Sequence, residues 1–253
     1  MIRLKLKNSR IISLVDKVTQ IIIIMKRVVD WFCKKIPKVS NRVIINFYEI
    51  LRFFNKLKPK RNKIKKALEE NTLKFIDHIN QINKCDGYIE DQNNYTDMKY
   101  GKVTMQYAGC EIIATFNAIN NILGECKKNL GEMIQEFEKD GCVLSGKFGT
   151  APKAIADYLN KNGFVSKISL KEVDFDKIAE ESESLILTMY NDVNDIRKEI
   201  HTINISKNAG NYIGHNVYCN GIIVGPFDTV SELINNINSG KAKGISLIGI
   251  RRK

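Results

Sequence analysis

The spacing of apolar side chains changes once along this chain, and that change limits the folds open to it. Up to Asn162 the spacing is helical; from Ser184 it alternates. Ile11, Val15, Val18, Ile22, Met25, Val29 and Phe32 step by four and three, the repeat of one helix face, and Pro37 ends the run. Val43, Phe47, Ile50, Phe54 and Leu57 repeat it up to Pro59. Ile64, Leu68, Phe75, Ile79 and Ile82 do so more loosely. Cys110–Leu123 is apolar on most sides, as a helix buried in a core must be. Leu130–Lys139 reads as a polar helix. Ala151–Asn162 reads as another, with Thr150 as cap, Pro152 in the first turn and Gly163 past the end. The strands expected after Ser184 are Leu185–Tyr190, the alternating Thr202–Ser206, Tyr212–Asn220, Ile222–Val224 and Ile245–Ile250. Thr229-x-x-Glu232 is a capping box for one short helix among them. Helices first and antiparallel strands second predict an α+β fold.

Charge divides the same chain differently. Residues 1–66 carry 19 Lys/Arg against Asp16, Asp30 and Glu49, a net of +16 in a protein whose total is +12. The remainder is slightly acidic. The expected organisation is a basic amphipathic helical extension over 1–84, a linker over 85–101 where periodicity gives way to Asp, Asn and Gly, and a main domain over 102–253. Apolar helix faces flanked by Lys/Arg suit an anionic membrane surface. Packing on the main domain as a pro-region or lid comes second. Nucleic acid comes last, because no base-stacking aromatics mark a sheet. Val18–Met25 is eight residues without charge, well short of the ~20 a spanning helix needs. Lys26 and Arg27 follow it instead of a signal-cleavage site.

Six cysteines with no CxxC fit reduced thiols in a cytoplasmic protein, with the arm offering peripheral contact at the inner face of the membrane. His78, His201 and His215 show no ligand spacing with them, so no metal or cofactor is expected. Gly141–Lys147 matches the first seven places of a phosphate-binding P-loop. Phe148 stands where the Mg²⁺-holding hydroxyl belongs, and a helix precedes where a strand should.

The chemistry centres on Met105–Ile119. Its Gly109–Cys110 step sits where a loop enters the buried helix. There the dipole favours a thiolate and the backbone N–H of Cys110 can face an oxyanion. The plain alternative is a small buried hydrophobe. About ninety residues on, His201 opens an alternating strand whose hairpin partner returns through Asn216. With Ser206 and Tyr212 flanking the turn, His201 falls opposite Val217, one residue from Asn216. His215 is the rival imidazole.

Gln106–Ile119 resembles the approach to the central helix of papain-like cysteine peptidases, nearest to the bacterial bacteriocin-processing (double-glycine) peptidases. Lys147-FGTAP resembles their loop beside the substrate cleft. The resemblance covers roughly 102–251. It implies a papain-like fold and a cysteine peptidase with Cys110 as nucleophile, His201 as base, Asn216 orienting the imidazole and Gln106 as oxyanion donor. A peptide or protein would be the substrate, cleaved through a thioester acyl-enzyme. Gln106 stands four residues before the cysteine where the family has six. Asn216-Val replaces the Asp-Pro of the nearest branch, so Asn220 and Asp228 stay open as alternatives. An acyl transferase, or an inactive binding module of the same fold, would share these residues.

Overall fold

The computed structural model describes residues 40–56, 61–124, 129–194 and 199–253. Two helices open it, α1 (Asn41–Lys56) and α2 (Arg61–Lys84). A small ladder, β1 (Lys99–Tyr100) with β2 (Val103–Thr104), leads into one helical turn, α3 (Met105–Ala108), and then α4 (Cys110–Leu123). There follow α5 (Leu130–Asp140), α6 (Pro152–Lys161), β3 (Phe164–Ser169), α7 (Phe175–Glu180), β4 (Ser184–Tyr190), β5 (Ile200–Asn208), β6 (Asn211–His215), β7 (Val224–Phe227), α8 (Val230–Asn236) and β8 (Lys243–Arg252). The expected helix over 11–35 and Leu57 lie outside the described residues.

Six strands form one antiparallel sheet in the order β3-β8-β4-β5-β6-β7. Helices cover both faces, because the central strands are apolar on both. Ile186, Ile248 and Ile250 join α2, α4, α5 and α6 in the larger core. Leu185, Leu187, Met189, Ile203 and Ile205 meet α7 and α8 on the other side. The α+β class expected from the periodicity is what the chain adopts.

Four local expectations are corrected. β3 was not foreseen: it is a half-exposed strand at the sheet edge, with Ser and Lys between its apolar residues. The strand expected over 212–220 stops at His215, where Asn216 turns to φ +57. The β5–β6 turn is flanked by Asn208 and Asn211, and His201 pairs across the sheet with Met189. Thr150 does not cap α6. Its hydroxyl meets the Tyr100 hydroxyl at 2.7 Å, and Ala151 holds the cap position without a side-chain bond.

The segment read as a linker is packed. Ile89, Tyr95, Met98 and Tyr100 are buried in the larger core. The reason lies in α4, whose buried Asn117 pairs with the backbone of Ile89, its Oδ1 accepting at 2.8 Å and its Nδ2 donating at 3.0 Å. Asn120 donates likewise to the Gly87 carbonyl. Two amides on a core helix thus supply the ladder that this segment lacks. The described extension also packs. Phe75 and Ile82 of α2 enter the larger core. Arg52 of α1, nearly buried, meets Asp157 at 2.9 Å and donates to the Asp140 carbonyl.

Candidate active site

Gly109 breaks α3 from α4 and makes the N-cap of α4. A Cβ there would lie 2.5 Å from the Met105 carbonyl oxygen, so only glycine lets the chain fold back this tightly. The break puts Cys110 in the first turn of α4, against β5. The backbone N–H of Thr202, next to His201 on β5, reaches the Cys110 sulfur. Cys110, His201 and Gln106 line one cleft of about 660 Å³, with Gln92, Val217, Tyr218 and Cys219 also on its walls. A second hollow of about 260 Å³ adjoins it at Cys110, lined by Tyr48, Glu111, Phe148 and Gly149. Both fall near the usual size of ligand pockets. Residues some ninety apart in sequence therefore line one opening.

The imidazole is held differently from the expectation. His201 Nε2 lies 2.7 Å from the backbone carbonyl of Asn216. A carbonyl only accepts, so Nε2 carries the hydrogen and the neutral ring keeps its lone pair on Nδ1. The Asn216 side chain faces away from the ring: its Oδ1 accepts from the Gln92 N–H at 3.1 Å, and its Nδ2 lies 3.3 Å from Gln92 Oε1. Asn216 belongs to the site through its backbone. Asn220 instead turns its own loop, Oδ1 accepting from the Ile222 N–H at 3.1 Å, and Asp228 sits exposed before α8.

Why that carbonyl is where it is can be traced. Glu90 Oε2 accepts the Asn216 N–H at 2.8 Å, and Glu90 Oε1 lies 2.5 Å from His215 Nδ1. His215 Nε2 meets the Ser206 hydroxyl at 2.7 Å, and Tyr88 stacks on the ring at 3.8 Å between centroids. His215, the rival imidazole, is thus fully engaged in this buried clamp. The clamp holds Asn216 in a left-handed turn that a non-glycine residue adopts only when its surroundings fix it.

Burial sets the protonation states. It pushes the His201 ring below the usual 6.5, against the pull of the Asn216 carbonyl, so the ring is neutral near pH 7. Burial, then the Glu111 carboxyl, push the Cys110 thiol well up from its usual value; the Thr202 N–H opposes them. The thiol donates to Glu111 Oε2 at 3.3 Å. The helix dipole does not prevail here, because a carboxyl in the first turn of α4 already answers it. The resting pair is thiol and imidazole, not the thiolate expected at a helix start.

Sequence reasoning missed Glu111, Glu90, Gln92 and Cys219. Cys219 Sγ lies 3.7 Å from His201 Nε2, and burial lifts its thiol to about 11. Cys85, Cys110 and Cys219 carry free thiols. Among the described residues no group of three or more His, Cys, Asp or Glu is placed to hold a metal ion. No described helix is long and apolar enough to cross a membrane. No family model, no curated protein and no solved structure matches this chain.

Proposed function

We propose that the chain is a papain-like cysteine peptidase acting through Cys110 and His201. One observation carries the reading: a cysteine at the start of a buried helix and a histidine with a fixed tautomer open onto the same cleft. In the proposed reaction Nδ1 of His201 takes the Cys110 proton and the sulfur attacks a peptide carbonyl. The Cys110 backbone N–H at the start of α4, with the exposed Gln106 amide beside it, receives the oxyanion. His201 returns the proton to the leaving amine, and water hydrolyses the thioester.

Two thiols line the cleft with the imidazole, so the test must separate them. Cys110→Ala is expected to abolish labelling by a thiol-directed peptide electrophile with far-UV circular dichroism unchanged, whereas Cys219→Ser leaves it within a few-fold. Loss of labelling in the serine variant alone would assign the nucleophile to Cys219. Labelling that survives both would remove the peptidase reading.

The arm suits an anionic membrane surface. Val43, Phe47, Ile50, Phe53 and Phe54 of α1 are each more than half exposed while Ile45 and Arg52 grip the domain. This apolar row lies within the stretch that carries the +16 charge. Co-sedimentation with phosphatidylglycerol vesicles is expected to exceed that with phosphatidylcholine, to weaken with salt, and to drop at least tenfold in a Phe47→Glu/Phe54→Glu double variant. Equal binding to both lipids, or an unaffected double variant, rejects this partner and leaves the row to a protein surface.

A further inference from the structure

The buried carboxyl beside the nucleophile has no part in the reaction just described. Glu111 is the second residue of α4, and its side chain folds back over the helix start. It accepts its own backbone N–H and that of Thr150. Gly149, at φ +63, presses against it so closely that a Cβ would lie 2.6 Å from Oε1. The carboxyl is therefore fixed from the α4 side and from the 147–150 loop together. The Cys110 sulfur donates to it at 3.3 Å, at the floor of the smaller hollow.

We propose that Glu111 is a positioning residue that holds the Cys110 thiol protonated and turned from His201, so that Cys110 becomes nucleophilic only when the S–H···O contact breaks. Breaking it is proton-balanced: the S–H bond is lost, the hydrogen moves to Nδ1 of His201, and Glu111 keeps its own charge. The groups facing this pair are Tyr48 of α1, Tyr100 of β1, Tyr107 of α3, Lys147, Glu199, His201 of β5 and Cys219. The thiol's side-chain bond goes to Glu111 itself. Burial pushes the Glu111 carboxyl up to about 7, so its charge on the thiol grows as pH rises through that value.

The inference rests on Cys110 as the reactive thiol, but its test needs no turnover. Iodoacetamide alkylation of Cys110 is followed by peptide mass spectrometry in the full chain from pH 5 to 10. Glu111→Gln keeps the shape and an acceptor for Thr150 but drops the charge. Its alkylation profile is expected to move to lower pH, with the rate rising at least tenfold at pH 8 and little at pH 6, tenfold being one unit of thiol pKa. Glu111→Asp, which draws the charge back by one methylene, moves the same way by less, and decides the matter by the same criterion should the glutamine variant not fold. A profile that superimposes on the native one, or moves to higher pH, overturns the proposal. Faster alkylation without any peptide cleavage would leave it standing and count against the peptidase.

Discussion

Replacing His201 with alanine is expected to slow labelling of Cys110 by a peptide electrophile about 10²- to 10⁴-fold at pH 7, the usual worth of a positioned general base. The effect should be large because the thiol has no other route to its anion. Burial and the Glu111 carboxyl both hold the proton on sulfur. The pH dependence follows from the same burial. The folded ring titrates below 6.5, so labelling by the native protein should fall only on the acid side of that value. Stability shifts in the same window. Below 6.5 the unfolded chain binds a proton that the folded ring refuses, so stability drops as pH falls from 6.5 through the depressed folded value. The alanine variant lacks this component, and its melting temperature should be less sensitive to pH there. A native rate that falls only well above pH 6.5 would remove His201 as the base.

The parts of this site legible in the sequence are those fixed by local periodicity. α4 announces itself because a helix apolar on most sides has only the core to go to, and the Gly-Cys step marks its start. His201 is legible because β5 alternates. What decides protonation and orientation was hidden by distance along the chain. Glu90 lies in a stretch whose Asp, Asn and Gly read as a linker, and nothing local shows that Asn117 and Asn120 of α4 would pin it. The role of Asn216 was misplaced for a related reason: an amide side chain is visible in a sequence, whereas a backbone carbonyl turned inward by a left-handed φ is not. Glu111 was passed over because a carboxylate in the first turn of a helix ordinarily needs no explanation beyond the dipole. Only the approach of Gly149 and the bond from Cys110 show that it is buried against the thiol.

Glu90→Ala is expected to produce the largest loss of stability. Its carboxylate is the acceptor for two buried donors, the Asn216 N–H and His215 Nδ1. Each buried donor left unpaired costs about 1–3 kcal/mol, so roughly 2–6 kcal/mol in all, or a fall in melting temperature on the order of 10 °C for a chain of this size. The function should fail with it, by a path that stability alone does not explain. Without its clamp, Asn216 is held at φ +57 by its Gln92 bonds alone; its carbonyl is expected to leave His201 Nε2, and the ring to lose its fixed tautomer. Asn216→Gly separates the two effects. Glycine adopts that turn freely and keeps the carbonyl while losing the amide bonded to Gln92. Labelling of Cys110 should therefore stay within a few-fold of native in Asn216→Gly, and fall at least tenfold in Glu90→Ala at a temperature where both variants are folded. The opposite order, with the glycine variant inactive and the alanine variant intact, would return the orienting role to the Asn216 side chain and leave the Glu90 clamp with stability as its sole task.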